Sequence, residues 1–160
     1  MEIQVFEADY TDPAHAASIV KLLNAYASDP MGGGERLSES VKQNLVARLS
    51  EFPGAFSILA IADDLPVGLV NCFEGFSTFA CQPLINIHDV YVQDDYRGLG
   101  ISRKMLALVE SIAIQRNCCK LTLEVLSNNN VAKSSYEKFG FTDYQLDPAS
   151  GHALFWQKKL

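Results

Sequence analysis

The chain has 160 residues, of which 48% are hydrophobic, 20% charged and 10% aromatic; it is too apolar for a disordered chain and too short for a multidomain enzyme. At this length one domain buries roughly 68–70% of the surface of its unfolded chain, so a core is available without metals or disulfides. Thirteen basic residues face nineteen acidic ones, a net charge of −6, and the basic ones are scattered, which argues against a nucleic-acid partner and suits a cationic small molecule better.

No repeat or long linker interrupts the sequence, so residues 1–160 read as a single domain. Residues 2–8 alternate as a short strand. Asp12-Pro13 offers a capping carboxylate followed by proline in the first helical turn, and Ala16, Ile19, Val20, Leu22, Leu23 and Tyr26 continue a helix that ends near Asp29-Pro30. The glycine loop 31–35 reads either as a connector that needs positive φ or as a mobile lid over a substrate site. Ser38 opens a second helix that ends before Pro53. Residues 55–62 and 67–73 read as strands joined by the turn Asp63-Asp64-Leu65-Pro66, and residues 84–92 as a third strand.

After Arg97-Gly98-Leu99-Gly100 comes an amphipathic helix with Met105, Leu106, Leu108, Val109, Ile112 and Ala113 inward. Residues 120–126 are expected as a strand, 129–139 as a helix, and 141–146 and 153–157 as the last strands. The order predicts mixed α/β, with a parallel pair where the long helix crosses over.

Cys72, Cys81, Cys118 and Cys119 form no Cys-x-x-Cys pair and read as reduced, buried thiols with no metal. The first residues lack a signal-peptide profile, and no run approaches the ~20 apolar residues of a membrane span. A cytoplasmic location and no membrane partner are expected.

The junction from Val92 to Arg103 joins a strand to a helix through two glycines. Without β-carbons there, backbone N–H groups at the helix start can approach a phosphate closely, aided by the helix dipole. The third glycine of a dinucleotide fingerprint would fall on Arg103, and the Gly-Lys-Ser/Thr ending of an ATP loop is missing. A tight turn without a ligand is the plain alternative.

Here the sequence resembles the GCN5-related N-acetyltransferase (GNAT) family. Its Arg/Gln-x-x-Gly-x-Gly/Ala signature maps onto Arg97, Gly100 and Ser102, with serine a departure, and a second signature maps onto Asn129, Ala132, Tyr136 and Gly140-Phe141. The strand 87–92 is closest in pattern to the diamine acetyltransferase branch, with His88 where that branch carries glutamate.

The resemblance implies a mainly antiparallel sheet with a parallel pair splayed at the cofactor site, helices on both faces, and acetyl-CoA as cosubstrate. It assigns the pyrophosphate to the amides of Gly98, Leu99, Gly100, Ile101, Ser102 and Arg103, with Arg97 in the same cofactor site, and the pantetheine arm to backbone of Val90, Tyr91 and Val92. Asn129, Ala132 and Phe139 complete that cofactor site.

An alkylamine with a pKa of ~10.4 is neutral only about once in ~2,500 molecules at pH 7, so its deprotonation costs roughly 4–5 kcal/mol. The expected acid for the leaving thiolate is Tyr136. His88 leads as base because an ordinary imidazole titrates at ~6.5, with Glu124 as the alternative. Strict alternation puts His88, Val90 and Val92 opposite Ile87, Asp89 and Tyr91, so His88 and Asp89 share a site only if a bulge intervenes. Glu35, Glu74 and Asp89 are the candidate acceptor-binding residues.

The expected activity is acetylation of a small-molecule amine by direct transfer in a ternary complex. The alternatives are a non-catalytic CoA-binding sensor and a peptide or protein N-acetyltransferase. A homodimer through the edge at Leu154-Phe155-Trp156 is a further expectation.

Overall fold

The computed structural model describes residues 1–144 and 147–160. They form two compact units, Met1–Leu126 and Ser127–Leu160. The first contains β1 (Ile3–Glu7), α1 (Pro13–Ser28), α2 (Glu39–Glu51), β2 (Ala55–Ala62), β3 (Leu65–Ser77), β4 (Gln82–Val92), α3 (Ile101–Gln115) and β5 (Leu121–Leu123). The second carries α4 (Asn130–Phe139).

Local chemistry sets the helix limits. Asp12 accepts hydrogen bonds from the N–H groups of Ala14 and His15, and Ser38 accepts one from Val41, so α1 and α2 start where their caps stand in the sequence. The β2–β3 turn is carried by Asp63 and Asp64 at φ 44° and 67°, the left-handed geometry that two-residue hairpins require.

The sheet order is β1-β2-β3-β4-β5, antiparallel except for the parallel β4–β5 pair that α3 connects. Side-chain alternation gives it two faces. On one, Leu59 and Leu69 are cross-strand partners and pack fully buried with Ile19 and Leu22 of α1, flanked by Leu45, Val46 and Tyr91. On the other, Ile58, Val70 and Ile87 turn toward α3, whose inner face of Ile101, Met105, Leu106, Val109, Ile112 and Ala113 is buried. Leu108, expected inside, is half-buried. A β-carbon on Gly68 would lie 2.9 Å from Met105 Cε and 3.1 Å from Ala60 Cβ, so α3 packs closely on the sheet there.

Three expected strands differ from the structure, the one expected over 120–126 being only Leu121–Leu123. Residues 141–144 carry no strand, and Gln145 and Leu146 lie outside the described residues. Residues 153–157 join no ladder, and Leu154, Phe155 and Trp156 stand exposed. Apolar character there reports neither burial nor pairing. The thiols also divide: Cys72 is buried, Cys118 half-buried, and Cys81 and Cys119 exposed.

Leu69 touches both α1 and the sheet, so Leu69→Ala should cost about 2–5 kcal/mol, read as a lower urea midpoint with unchanged slope.

Candidate active site

The glycine turn follows β4 directly. Gly98 and Gly100 adopt φ 79° and 75°, and a β-carbon on either would meet nothing within 4 Å. Glycine is thus required by backbone conformation, not by crowding. Gly100 is the N-cap of α3 and offers no side-chain cap. The first intrahelical bond runs from Lys104 N–H to the Gly100 carbonyl, so the amides of Ile101, Ser102 and Arg103 have no acceptor within the helix. The first turn holds no acidic residue, and Arg103 and Lys104 are exposed there. Positive charge at the positive end of a helix dipole is unfavourable by itself and becomes favourable around an anion.

Arg97 is engaged within the chain. Its guanidinium meets Asp29 Oδ2 at 3.2 Å and Asp94 Oδ1 at 2.8 Å, its Nε–H donates to the Val92 carbonyl at 3.0 Å, and it lies over the Tyr91 ring. The family-signature arginine thus straps the glycine turn to the end of α1. Met31 N–H donates to Asp29 Oδ1, Gly32 and Gly34 donate to the Asp29 carbonyl, and Glu35 donates to Ala27. The loop expected as a connector or lid is folded back onto α1 by these bonds, with Glu35 itself exposed.

The register of β4 contains the feature that alternation missed. Asn71 pairs with Asp89 but Cys72 pairs with Ile87, which leaves His88 as an extra residue. The bulge resets the alternation. Asp89 joins Asn71 and Tyr91 on the α1 face, while Ile87, Val90 and Val92 pair with residues of the α3 face. His88 meets Phe73 edge-on at 5.4 Å, and Phe73 shares the face of Asn71. His88 and Asp89, consecutive in sequence, therefore project on one face, which corrects the strict alternation expected above. Asp89 Oδ2 accepts from Asn71 Nδ2 at 2.9 Å, and Asn71 Oδ1 accepts from Ser57 at 2.6 Å.

The β4–β5 ladder runs only from Ile85–Leu121 to Ile87–Leu123. Beyond it, among the described residues, Asp89–Val92 pair on the β3 side alone. Glu124 is exposed, one residue past the last pair and level with His88 in the register. Glu74 lies elsewhere: it shares the face of Cys72 and is ion-paired to Arg116 at 3.3 Å, opposite to Asp89.

In the second unit the other signature resolves into capping. Asn129 is the N-cap of α4 and its side chain accepts from Ala132 N–H at 3.2 Å. Gly140, at φ 115°, ends the helix; its N–H bonds to Glu137, and Phe141 N–H reaches the Tyr136 carbonyl. This is a Schellman ending, and the apolar contact that accompanies such endings is here between Tyr136 and Phe141, with ring centroids at 5.9 Å. Phe139 stacks on the same Phe141 ring at 6.0 Å. Asn129 and Ala132 thus meet at the start of α4, while Tyr136 and Phe139 share Phe141 at its end.

Sequence reasoning missed Ser57, Asn71 and Tyr10. The available signal was a lone polar residue inside each of two apolar strand runs, 55–62 and 67–73. Among the described residues no group of three or more His, Cys, Asp or Glu is arranged to hold a metal, and no helix is long and apolar enough to cross a membrane.

The sequence profile described as the acetyltransferase (GNAT) family matches residues 19–141. Over 71 residues the chain is 37% identical to the thialysine N-epsilon-acetyltransferase of Bos taurus, a stretch covering 44% of this chain and 41% of that protein. A solved probable acetyltransferase shares the fold with a TM-score of 0.80 at 21% identity, covering 98% of this chain and 99% of its own. AAC(6')-Iy, solved with the bisubstrate analogue CoA-S-monomethyl-acetylneamine, superposes with a TM-score of 0.78 at 12% identity over the whole of both chains.

The Asp29 carboxyl is held below the usual carboxylate range, first by the Met31 N–H and then by Arg97. A carboxyl lowered on folding stabilises the native state above its unfolded value of about 3.9 and loses that contribution as pH falls through the folded value. Asp29→Asn should therefore lower the urea midpoint at neutral pH, with the gap to wild type closing as pH drops below about 4. A gap that persists unchanged in acid would place its origin elsewhere than in the charge.

Proposed function

Because the chain belongs to the acetyltransferase (GNAT) family, we propose that it transfers the acetyl group of acetyl-CoA directly to the amine of a small molecule within a ternary complex. The observation that carries this reading is β4 itself. One strand presents His88 and Asp89 on one face, then an edge unpaired on the β5 side among the described residues, and then the glycine turn, all between Ile87 and Arg103.

The residues fit acetyl-CoA, which supplies an acetyl thioester. The amides of Gly98 to Arg103, with the Arg103 and Lys104 side chains nearby in sequence, suit a pyrophosphate. The Val90 and Tyr91 backbone offers an amide-bearing arm a strand edge. The Val92 carbonyl is already taken by Arg97, so that edge is shorter than the sequence suggests.

Two proton movements remain for the protein. His88 accepts the proton of the acceptor amine, because it is exposed beside Asp89 and a neutral imidazole is an adequate base. Tyr136 donates to the departing thiolate, its ring fixed by Phe141. Glu124, level with His88, is the alternative base through water. Asp89 carries the acceptor's positive charge.

CoA release measured against alkyl diamines, lysine, an aminoglycoside and a peptide N-terminus tests the reading. Turnover is expected with at least one amine, and tight acetyl-CoA binding with no turnover on any of them would overturn it. Tyr136→Phe should lower kcat on the order of a hundredfold with little change in the KM for acetyl-CoA. His88→Ala should lower kcat on the order of a hundredfold, whereas near-wild-type turnover would transfer the base to Glu124.

A further inference from the structure

Ser57 and Asn71 are the polar side chains buried in the sheet among the described residues, at 0% and 3% exposure. They join end to end: Tyr10 Oη lies 2.9 Å from Ser57 Oγ, Ser57 Oγ 2.6 Å from Asn71 Oδ1, and Asn71 Nδ2 2.9 Å from Asp89 Oδ2. The direction of each bond follows from chemistry. An ionised carboxylate only accepts, so Asn71 turns its amide nitrogen to Asp89 and its oxygen to Ser57. The Ser57 proton is then committed to Asn71, and Tyr10 must donate to Ser57. Burial pushes the Tyr10 phenol up, so it retains that proton. All three donors point toward Asp89.

A buried polar chain costs desolvation that apolar residues in the same strands would avoid, and each link is required once the others are present. What it delivers is a carboxylate with one oxygen fixed and, among the described residues, no hydrogen bond on Oδ1. The His88 bulge turns this carboxylate onto the α1 face. Tyr26 of α1 stands close enough that its phenol is pushed up by burial and then by Asp89, and its ring meets Tyr91 at 5.9 Å.

We propose that Tyr10, Ser57 and Asn71 are positioning residues that hold the Asp89 carboxylate, beside the Tyr26 and Tyr91 rings, as the preformed binding group for the acceptor's ammonium. The role rests on the amine-acetylating reading above, and it assigns acceptor recognition to residues that touch neither substrate nor the reacting atoms. A preformed anion binds more tightly than one that must be ordered on contact.

Calorimetric titration of the CoA-loaded protein with 1,3-diaminopropane tests this without turnover. Tyr10→Phe, which keeps the ring and removes one donor, should weaken binding on the order of fivefold, and Asn71→Leu on the order of tenfold or more. Acetyl-CoA affinity should stay within about twofold of wild type in both, and in turnover the amine KM should rise while kcat changes less. If Asn71→Leu does not fold, Tyr10→Phe carries the test. Variants that lower Tm yet bind the diamine like wild type would reduce the chain to a structural role and overturn the proposal, as would a wild-type protein that does not bind the diamine at all. Diamine binding with the expected variant pattern but no acetylation would sink the acetyltransferase reading and leave this one standing.

Discussion

The eleven-residue strand β4 pairs along most of its length with β3 but along only three residues with β5. A strand cannot satisfy two neighbours of such different length without presenting bare backbone on one side, and that side is the only direction in which an added strand-like ligand can pair. The bulge at His88 falls directly after the last β4–β5 pair. Strand separation and reversal of side-chain direction therefore coincide, and one place in the sheet offers both an open edge and two polar side chains on a single face.

The two signature segments make a different point. Several of their residues have a structural duty in this fold: Gly98 and Gly100 supply positive φ, Asn129 caps α4, Gly140 ends it, and Arg97 straps the turn to Asp29. Capping and the proposed cofactor binding draw on the same chemistry. Free amides at the start of α3 are a cost to an empty turn and an asset to one that holds phosphate. Such a site depends little on side-chain identity, which is why Ser102 can stand at the last position of the signature without altering the turn.

That division explains what could be read from the sequence. Helix starts at Asp12, Ser38 and Asn129, the hairpin at Asp63-Asp64 and the crossover pair were legible because each depends on neighbours a few residues away. The bulge was not, since it is a mismatch of register between two strands and neither strand records it alone. Ser57, Asn71 and Tyr10 are spread over 62 residues of sequence and meet only in the sheet. Glu74 shows the converse: an acidic residue read as acceptor-binding is held by Arg116 on the α3 face because β3 alternates past Phe73. The exposed Cys81 and Cys119 and the unpaired 153–157 segment failed for a related reason, as apolar composition gives a preference for burial without guaranteeing a surface to bury against.

Net charge carries less than charge placement. The chain has a net charge of −6, yet Arg97, Arg103 and Lys104 gather around the start of α3, and two of the surrounding acids, Asp29 and Asp94, neutralise Arg97 alone. Arg103 and Lys104 stand exposed in the first turn of α3, which holds no acidic residue, and in the proposed site they would face a phosphate. On the α1 face the opposite holds: a carboxylate is held by a row of neutral donors that add no positive charge, so its full negative charge stays available. A cationic pairing partner such as lysine in place of Asn71 would have fixed Asp89 as firmly while cancelling it. Neutral donors keep both the orientation and the charge of the carboxylate, and under the proposed function that combination, more than the acidity of the whole surface, is what suits Asp89 to a positively charged acceptor.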